Sequence, residues 1–145
     1  MDIVYRENTL TADEYIQFES EIGDALTSRE QAARAFAHQL YSVAAYDGGR
    51  LVGIARLLGD AAIFYYINDV WVLPSHRGRG IGRHMVNRLV QYAAETSLPG
   101  TTISVCLQAA AGKEGFYEKL GFRRRPRCNE GAGMDREITI PEGCL

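Results

Sequence analysis

The residues with the clearest chemical potential form the turn Arg77-x-x-Gly80-x-Gly82, between an apolar β-prone run and the start of a helical pattern. The first N–H groups of a helix lack partners within the helix, and the helix dipole adds partial positive charge there. Glycine lets this backbone approach an anion closely because it has no Cβ atom. Arg77, Arg79 and Arg83 add further positive charge. The spacing therefore predicts a cradle for a pyrophosphate group.

Two better-known phosphate-binding patterns do not match this turn. A dinucleotide fingerprint needs GxGxxG with an acidic residue about 20 positions on, whereas the spacing here is RxxGxG, in the middle of the chain. A Walker loop needs GxxxxGK[ST], and no such run occurs in the sequence. The remaining alternative is a basic surface turn whose glycines serve packing.

A second unusual feature is Asp69, an acid inside the apolar run Ile63–Leu73. Regular strand alternation would place it on one face with Tyr65, Ile67 and Trp71. A charge that contradicts its local pattern often marks a functional site. The alternative is a structural aspartate that caps a neighbouring backbone group, and the sequence leaves both interpretations open.

The elements around these residues predict a mixed α/β chain in the order βααβββαβαββ, a single domain over residues 1–145. Helices are indicated by apolar spacings of three and four and by the capping pattern Ser28–Gln31, and strands by β-branched and aromatic runs. The predicted strands are Asp2–Arg6, Tyr41–Tyr46, Leu51–Leu58, Ile63–Leu73, Thr101–Leu107, Phe122–Arg125 and Met134–Ile140. The predicted helices are Thr11–Glu21, Ser28–Leu40, Gly80–Ser97 and Lys113–Leu120.

Composition excludes several classes of protein. The net charge of −2 argues against general nucleic-acid binding, and no stretch approaches the roughly 18 apolar residues of a membrane helix. The three cysteines, Cys106, Cys128 and Cys144, are too few and too widely spaced for a zinc site or a disulfide framework. The first residues lack the basic and apolar regions of a signal peptide. We therefore expect a cytoplasmic protein without metal.

Charge is uneven along the chain. Residues 1–30 carry eight acids against two arginines, whereas residues 76–136 carry eleven Arg or Lys against five acids. The basic half could attract a polyanion and the acidic half a cation, or both could be ordinary solvated surfaces. Under the first interpretation, acids and aromatic residues of the N-terminal half and the strand Ile63–Leu73 would suit a small amine with an apolar body. These residues are Tyr15, Phe18, Glu19, Glu21, Asp24, Tyr65 and Trp71.

Two motifs in order carry a resemblance to a known family. The run Val70-Trp-Val72-x-Pro-x-x-Arg77-Gly-x-Gly-Ile-Gly82 resembles the signature of the GNAT N-acetyltransferase superfamily. About 35 residues later, Gly115-Phe-Tyr-Glu-Lys-Leu-Gly-Phe122 is similar to that family's later helix and following strand. The resemblance implies a GNAT-like fold and an acyltransferase that uses acetyl-CoA as co-substrate. A possible homodimer is the assembly it suggests.

The resemblance also implies roles for individual residues. The backbone of Val70, Trp71 and Val72 would lie beside the acetyl thioester and pantetheine arm. The CoA pyrophosphate would be wrapped by the residues of the glycine turn, which are Arg77, Gly78, Arg79, Gly80, Ile81 and Gly82. Tyr117 would act as the general acid that protonates the leaving thiolate, because a tyrosine is protonated at neutral pH. Asp69, directly or through water, is the candidate base for the amine, with Glu114 as a weaker alternative.

One departure from the family pattern concerns Ala110. Many members carry an asparagine seven residues before the tyrosine, where it contacts the CoA arm, and here that position is alanine. Gln108 or Lys113 could partly replace the contact. The histidines, His38, His76 and His84, show no paired acid in the sequence pattern.

The function expected from these observations is transfer of an acetyl group from acetyl-CoA to a primary amine of a small molecule or peptide. One alternative is a non-catalytic CoA-binding sensor. Another is an enzyme acting on a protein N-terminus or an aminoacyl-tRNA, against which the acidic N-terminal half argues in the RNA case.

Overall fold

The computed structural model describes residues 2–23 and 26–143 of the chain. The chain divides into two compact units, residues 1–107 and 108–145. The first contains strands β1 (Ile3–Glu7), β2 (Tyr41–Asp47), β3 (Arg50–Gly59), β4 (Phe64–Val72) and β5 (Ser104–Cys106), and helices α1 (Ala12–Ile22), α2 (Arg29–His38) and α3 (Ile81–Thr96), with a 3-10 turn at Pro74–His76. The second contains helix α4 (Glu114–Glu118). The mixed α/β class predicted from the sequence is confirmed.

The five strands form one sheet in the order β1-β2-β3-β4-β5. The first three pairings are antiparallel, and β5 joins β4 in parallel after the crossover through α3. The β2–β3 hairpin turns at Gly48 and Gly49, whose φ angles of 56° and 84° are the left-handed values that a tight hairpin demands. This sheet places the end of β4 beside the start of α3.

Local sequence explains where the helices begin and end. Thr11 and Glu14 form a capping box at the start of α1, and Gly23 ends that helix in the left-handed conformation. The Ser28 side chain accepts a hydrogen bond from the Gln31 backbone N–H at the start of α2, as the sequence predicted. Helix α3 differs, because its N-cap Gly80 has no side chain to occupy the first N–H groups.

The core is formed largely by α3 and the central strands. One stripe of α3 is buried, as predicted from its period of three and four, and consists of Ile81, Met85, Val86, Leu89 and Ala93. This helix contacts β2, β3 and β4, where Val43 and Leu57 are among the buried residues. The buried stripe fixes the direction in which the first turn of α3 points.

The two predicted last strands, Phe122–Arg125 and Met134–Ile140, are not strands in the structure. Within described residues 108–143, the one β-interaction is an isolated bridge between Arg127 and Glu130. Met134, Ile138 and Ile140 are largely exposed. Their β-branched and alternating pattern indicates β-propensity, but a strand needs a partner with which to form hydrogen bonds. Across the described residues, no helix is long and apolar enough to cross a membrane.

Candidate active site

Strand β4 is interrupted by a bulge at Asp69. Opposite it, Ile54 of β3 pairs with Trp71 while Arg56 pairs with Asn68, so that Asp69 and Val70 together oppose Ala55. Asp69 itself has a φ of 53°, a left-handed value that is uncommon for a residue with a side chain. Such bulges redirect side chains and often lie next to functional sites.

The bulge corrects the predicted alternation of β4. The side chain of Tyr65 contacts Ser97, just after α3, through a 2.8 Å hydrogen bond between their hydroxyl groups. Asp69 and Trp71 instead contact Tyr15 of α1. The prediction that Tyr65, Asp69 and Trp71 share one face is therefore wrong, because one extra residue in the strand changes the alternation.

The Asp69 carboxylate lies in a buried charge pair. Its Oδ2 atom accepts hydrogen bonds from Arg56 Nη1 at 2.8 Å and from the Tyr15 hydroxyl at 2.9 Å. The side chains of Arg56 and Asp69 are only 8% and 11% exposed. Arg56 Nε also donates to Gln39 Oε1 at 2.8 Å. Protonating Asp69 would weaken this pair, which is costly at such a site.

Aromatic rings surround this pair. The ring of Tyr15 stacks on Trp71 at 5.7 Å and meets Phe36 edge-on at 5.2 Å. The Arg56 guanidinium lies 5.2 Å from the centre of the Phe36 ring and 5.7 Å from that of Tyr15. Burial and the Asp69 charge raise the pKa of Tyr15 well above its ordinary value, so its hydroxyl remains a donor. We call these five residues the Arg56–Asp69 cluster.

Sequence reasoning missed Arg56 although a signal was available. Arg56 is a single charge within the apolar run Leu51–Leu58, the same local contradiction that singled out Asp69. Pairing the two contradictory charges on adjacent predicted strands would have suggested their contact. Phe36 and Gln39 carry no such signal, because an aromatic residue on a short helix and an amide at the end of that helix are both common.

The glycine turn has the geometry that an anion requires. Gly78 and Gly80 have φ angles of 76° and 81°, and a Cβ atom placed on either would meet nothing within 4 Å. The first helical hydrogen bond of α3 runs from the His84 N–H to the Gly80 carbonyl at 3.0 Å. The N–H groups before it have no partner within the helix. Open space before unsatisfied N–H groups is the arrangement that a phosphate group requires.

The three arginines of the turn have different surroundings. Arg77 Nε donates to the carbonyl oxygen of Val72 at 3.1 Å, which fastens the turn to the end of β4. Arg79 and Arg83 line a cavity of about 510 Å³ along α3, together with His84 and Arg88. The side chain of Ile81 is buried in the core, and only its backbone can face a ligand. The turn thus combines one anchoring arginine with two that line open space.

The second half of β4 has no pairing with β5. The parallel ladder joins Phe64, Tyr65 and Tyr66 to residues 104–106 and extends no further. Within residues 67–72, the residues on either side of the bulge pair with β3, and none of the six pairs with β5. An unpaired stretch of backbone can form hydrogen bonds with an extended ligand, and this stretch contains Val70, Trp71 and Val72.

Tyr117 lies on α4 in the second unit. Its ring meets Phe116 edge-on at 4.9 Å and Phe122 at 5.9 Å. Burial raises the pKa of its hydroxyl, which keeps the group protonated at neutral pH. Gly121 follows the helix with the left-handed φ of 95° that the sequence predicted. Glu114, the weaker base candidate, accepts a hydrogen bond from the Gly112 N–H at 2.8 Å.

Several acids expected to attract a cation have partners within the protein. Glu19 accepts two hydrogen bonds from Thr27, at 2.9 Å from the N–H and 2.7 Å from the hydroxyl. Glu21 pairs with Arg50 at 3.2 Å. Asp24 lies outside the described residues. The carboxylates of Glu19 and Glu21 thus serve local structure, and the interpretation of the described acids as a solvated and structural surface gains support.

The expectation that the histidines have no acidic partner is wrong for His76. His76 Nε2 lies 2.7 Å from Asp47 Oδ2, a pairing across 29 residues of sequence that no local pattern reveals. Within residues 2–23 and 26–143, no group of three or more His, Cys, Asp or Glu side chains is arranged to hold a metal ion.

Comparison with known proteins matches residues 7–122 to the acetyltransferase (GNAT) family. Serotonin N-acetyltransferase 2, chloroplastic, of Oryza sativa subsp. japonica is 33% identical over 120 residues, which cover 79% of this chain and 58% of that protein. Glucosamine 6-phosphate N-acetyltransferase of Trypanosoma brucei brucei is 37% identical over 86 residues, 54% of this chain and 55% of that protein. The chain thus spans little more than half the length of these two curated relatives.

Solved structures agree with this match. A GNAT family acetyltransferase from Streptococcus pneumoniae TIGR4 superposes with a TM-score of 0.75 at 25% identity, covering 94% of this chain and all of that one. A protein of unknown function from meticillin-resistant Staphylococcus aureus superposes with a TM-score of 0.80 at 26% identity and the same coverage. Family match, fold and the glycine turn at the start of α3 agree, and the chain belongs to the acetyltransferase (GNAT) family.

Proposed function

We propose that this chain transfers the acetyl group of acetyl-CoA to a primary amine of a small molecule or peptide. The observation that carries the proposal is the pair of left-handed glycines, Gly78 and Gly80, with open space before the free N–H groups of α3. The unpaired stretch of β4 beside the turn supports it further, because the pantetheine arm needs backbone partners along its length.

The proposed reaction is a direct transfer. The amine nitrogen attacks the thioester carbonyl carbon, forming the C–N bond, and the C–S bond then breaks to release the CoA thiolate. Tyr117 supplies a proton to that sulfur, and its raised pKa keeps the hydroxyl protonated at neutral pH until the transfer. Backbone N–H groups at the bulge, at residues 69–72, are the candidates for stabilising the carbonyl oxygen as it gains negative charge.

Asp69 is the proposed base, and its surroundings define how it can act. Oδ2 is occupied by Arg56 and Tyr15, and accepting a proton on that atom would weaken the buried pair. An amine that arrives neutral still loses one proton from nitrogen as the amide forms, and transfer of that proton through a water molecule is therefore the better match to this geometry. The same contacts give Asp69 a second role, in which it holds the bulge that shapes the thioester end of the site.

The acceptor that best suits the first unit is an amine with an aromatic or apolar body. Tyr15, Phe36 and Trp71 provide ring surfaces beside the bulge. A relative that covers most of this chain is named for an aromatic amine, serotonin, which supports the same class. The relative named for glucosamine 6-phosphate provides a natural competing acceptor for the test.

The test is release of free thiol from acetyl-CoA against a panel of amines. The panel contains tryptamine, phenethylamine, glucosamine 6-phosphate, spermidine, an aminoglycoside and a short peptide with a free N-terminus. We expect the arylalkylamines to give the highest kcat/KM, and Trp71→Ala to reduce that preference. A best acceptor without an apolar body would overturn the acceptor class, and binding of acetyl-CoA without turnover of any amine would favour a CoA-binding sensor.

A further inference from the structure

The turn that precedes the glycine loop contains an anchored histidine. The ring of His76 bridges two oxygens, with Nε2 2.7 Å from Asp47 Oδ2 and Nδ1 2.8 Å from Ser75 Oγ. Its side chain is only 12% exposed. Because a carboxylate can only accept, Nε2–H donates to Asp47, and Nδ1 either accepts from or donates to the serine hydroxyl. The ring is thus held at both nitrogens.

His76 is the last residue of the 3-10 turn, immediately before the glycine loop. Its backbone N–H donates to the Leu73 carbonyl at 2.9 Å, and the Leu73 N–H donates to Val52 of β3 at 2.9 Å. The far end of the loop is fixed by Ile81, which is buried in the core. Between these anchors lie two glycines, Gly78 and Gly80, whose backbone has the widest freedom of any residue type.

Asp47 ends β2, on the hairpin whose turn is formed by two left-handed glycines. Arg50 is its register partner across the hairpin, but the Arg50 guanidinium pairs with Glu21 of α1. Asp47 therefore has its carboxylate directed to His76. The hydrogen bond connects the β2–β3 hairpin to a segment 29 residues further along the chain.

We propose that His76, held by Asp47, is a positioning residue for the pyrophosphate loop. By fixing the residue just before Arg77, the His76–Asp47 bond reduces the conformations open to the loop before ligand binds. A loop that is already ordered loses less entropy on binding, and affinity rises accordingly. The proposal rests on the proposed function, because it assumes that the loop receives the CoA pyrophosphate.

The test measures binding of three probes by calorimetry: acetyl-CoA, ADP, which carries the pyrophosphate, and acetylpantetheine, which lacks it. The variants are His76→Ala, Asp47→Ala and the double variant, with His76→Gln to retain a donor near the position of Nε2. His38→Ala is the matched control, because His38 is an exposed histidine on α2. Thermal unfolding of every variant separates loss of affinity from loss of folding.

We expect each single variant to raise the Kd for acetyl-CoA and ADP by up to about tenfold, because the free energy of the bond that orders the loop limits what its loss can take from binding. The double variant should bind acetyl-CoA and ADP no more weakly than the single variant with the lower affinity, because all three variants lack the same His76–Asp47 bond. His76→Gln should recover most of the affinity, and acetylpantetheine and His38→Ala should change by less than twofold.

Two results would overturn the positioning role while leaving the proposed function intact. One is an unchanged Kd for ADP in folded His76→Ala and Asp47→Ala. The other is an equal loss for all three probes, which would indicate general damage to the site. If the wild-type protein binds neither ADP nor acetyl-CoA, the proposed function fails and this inference fails with it.

Discussion

Replacing Gly80 with alanine separates backbone strain from ligand binding. Gly80 is the N-cap of α3, with φ 81° and ψ 7°. An L-residue held in this left-handed region costs about 1–2 kcal/mol, which corresponds to a fall in Tm of about 3–8 °C for a chain of this length. The added Cβ atom meets no protein atom within 4 Å, so that steric overlap adds nothing to this cost.

The same Cβ atom would project into the space assigned to the pyrophosphate. Losing one or two hydrogen bonds to a charged group costs about 1.5–3 kcal/mol, or roughly 10–100-fold in the Kd for acetyl-CoA. Gly100 is the matched control, since it has a φ of 79° and equally open surroundings but lies in the turn after α3. The assay is calorimetric titration of acetyl-CoA together with thermal unfolding of both variants.

We expect Gly80→Ala and Gly100→Ala to lose similar Tm, with only Gly80→Ala losing affinity for acetyl-CoA. An affinity of Gly80→Ala for acetyl-CoA equal to that of the wild type would refute the assignment of the loop as the pyrophosphate site, because the added Cβ atom would then displace no bound phosphate. A loss of affinity in Gly100→Ala as large as in Gly80→Ala would refute it equally.

Three further predictions concern Tyr117, the charge pair and Asp60. Tyr117→Phe should lower kcat by about 10²–10⁴-fold with an unchanged Kd for acetyl-CoA, and an unchanged kcat in steady-state assays would exclude the acid role. Asp69→Leu should lower the free energy of unfolding by about 3–5 kcal/mol in urea, and Arg56→Met in the same chain should restore at least half; no recovery would count against the pair. Asp60 accepts from three backbone N–H groups, at Ala62–Phe64, which lowers its pKa. The Asp60 carboxylate therefore stabilises the fold fully above its unfolded pKa of about 3.9, and this stabilisation is lost as the pH falls through the lower folded pKa. We expect the free energy of unfolding of Asp60→Asn to fall less steeply than that of the wild type as the pH drops below about 4. Identical dependence on pH in the two proteins would contradict this.

Local features of the site were readable from the sequence because they depend on neighbouring residues. The glycine turn follows from the residues themselves: Gly78 and Gly80 adopt left-handed angles that other residues avoid. The buried stripe of α3 follows from spacing, and the start of α2 from the capping pattern at Ser28. In each case the physical cause acts within about one helical turn.

Features that depend on distant residues could not be read in this way. The bulge at Asp69 is a register mismatch between β3 and β4, and one inserted residue leaves no local signature. The Tyr15 partner of Asp69 and the Asp47 partner of His76 lie 54 and 29 residues away in sequence. The segment Met134–Ile140 shows the converse, since its propensity favours a strand but these residues form no strand pairing with any described residue.

The central claim is that an acetyl group moves from acetyl-CoA to an amine at this site. The most direct measurement uses acetyl-CoA labelled in the acetyl group, with mass spectrometry of the amine after incubation with wild-type protein and with Tyr117→Phe. We expect labelled N-acetyl product and one free thiol per amide formed with the wild type, and strongly reduced product with the variant. Label that remains on CoA or appears as free acetate, with no amide on any amine, would contradict the account.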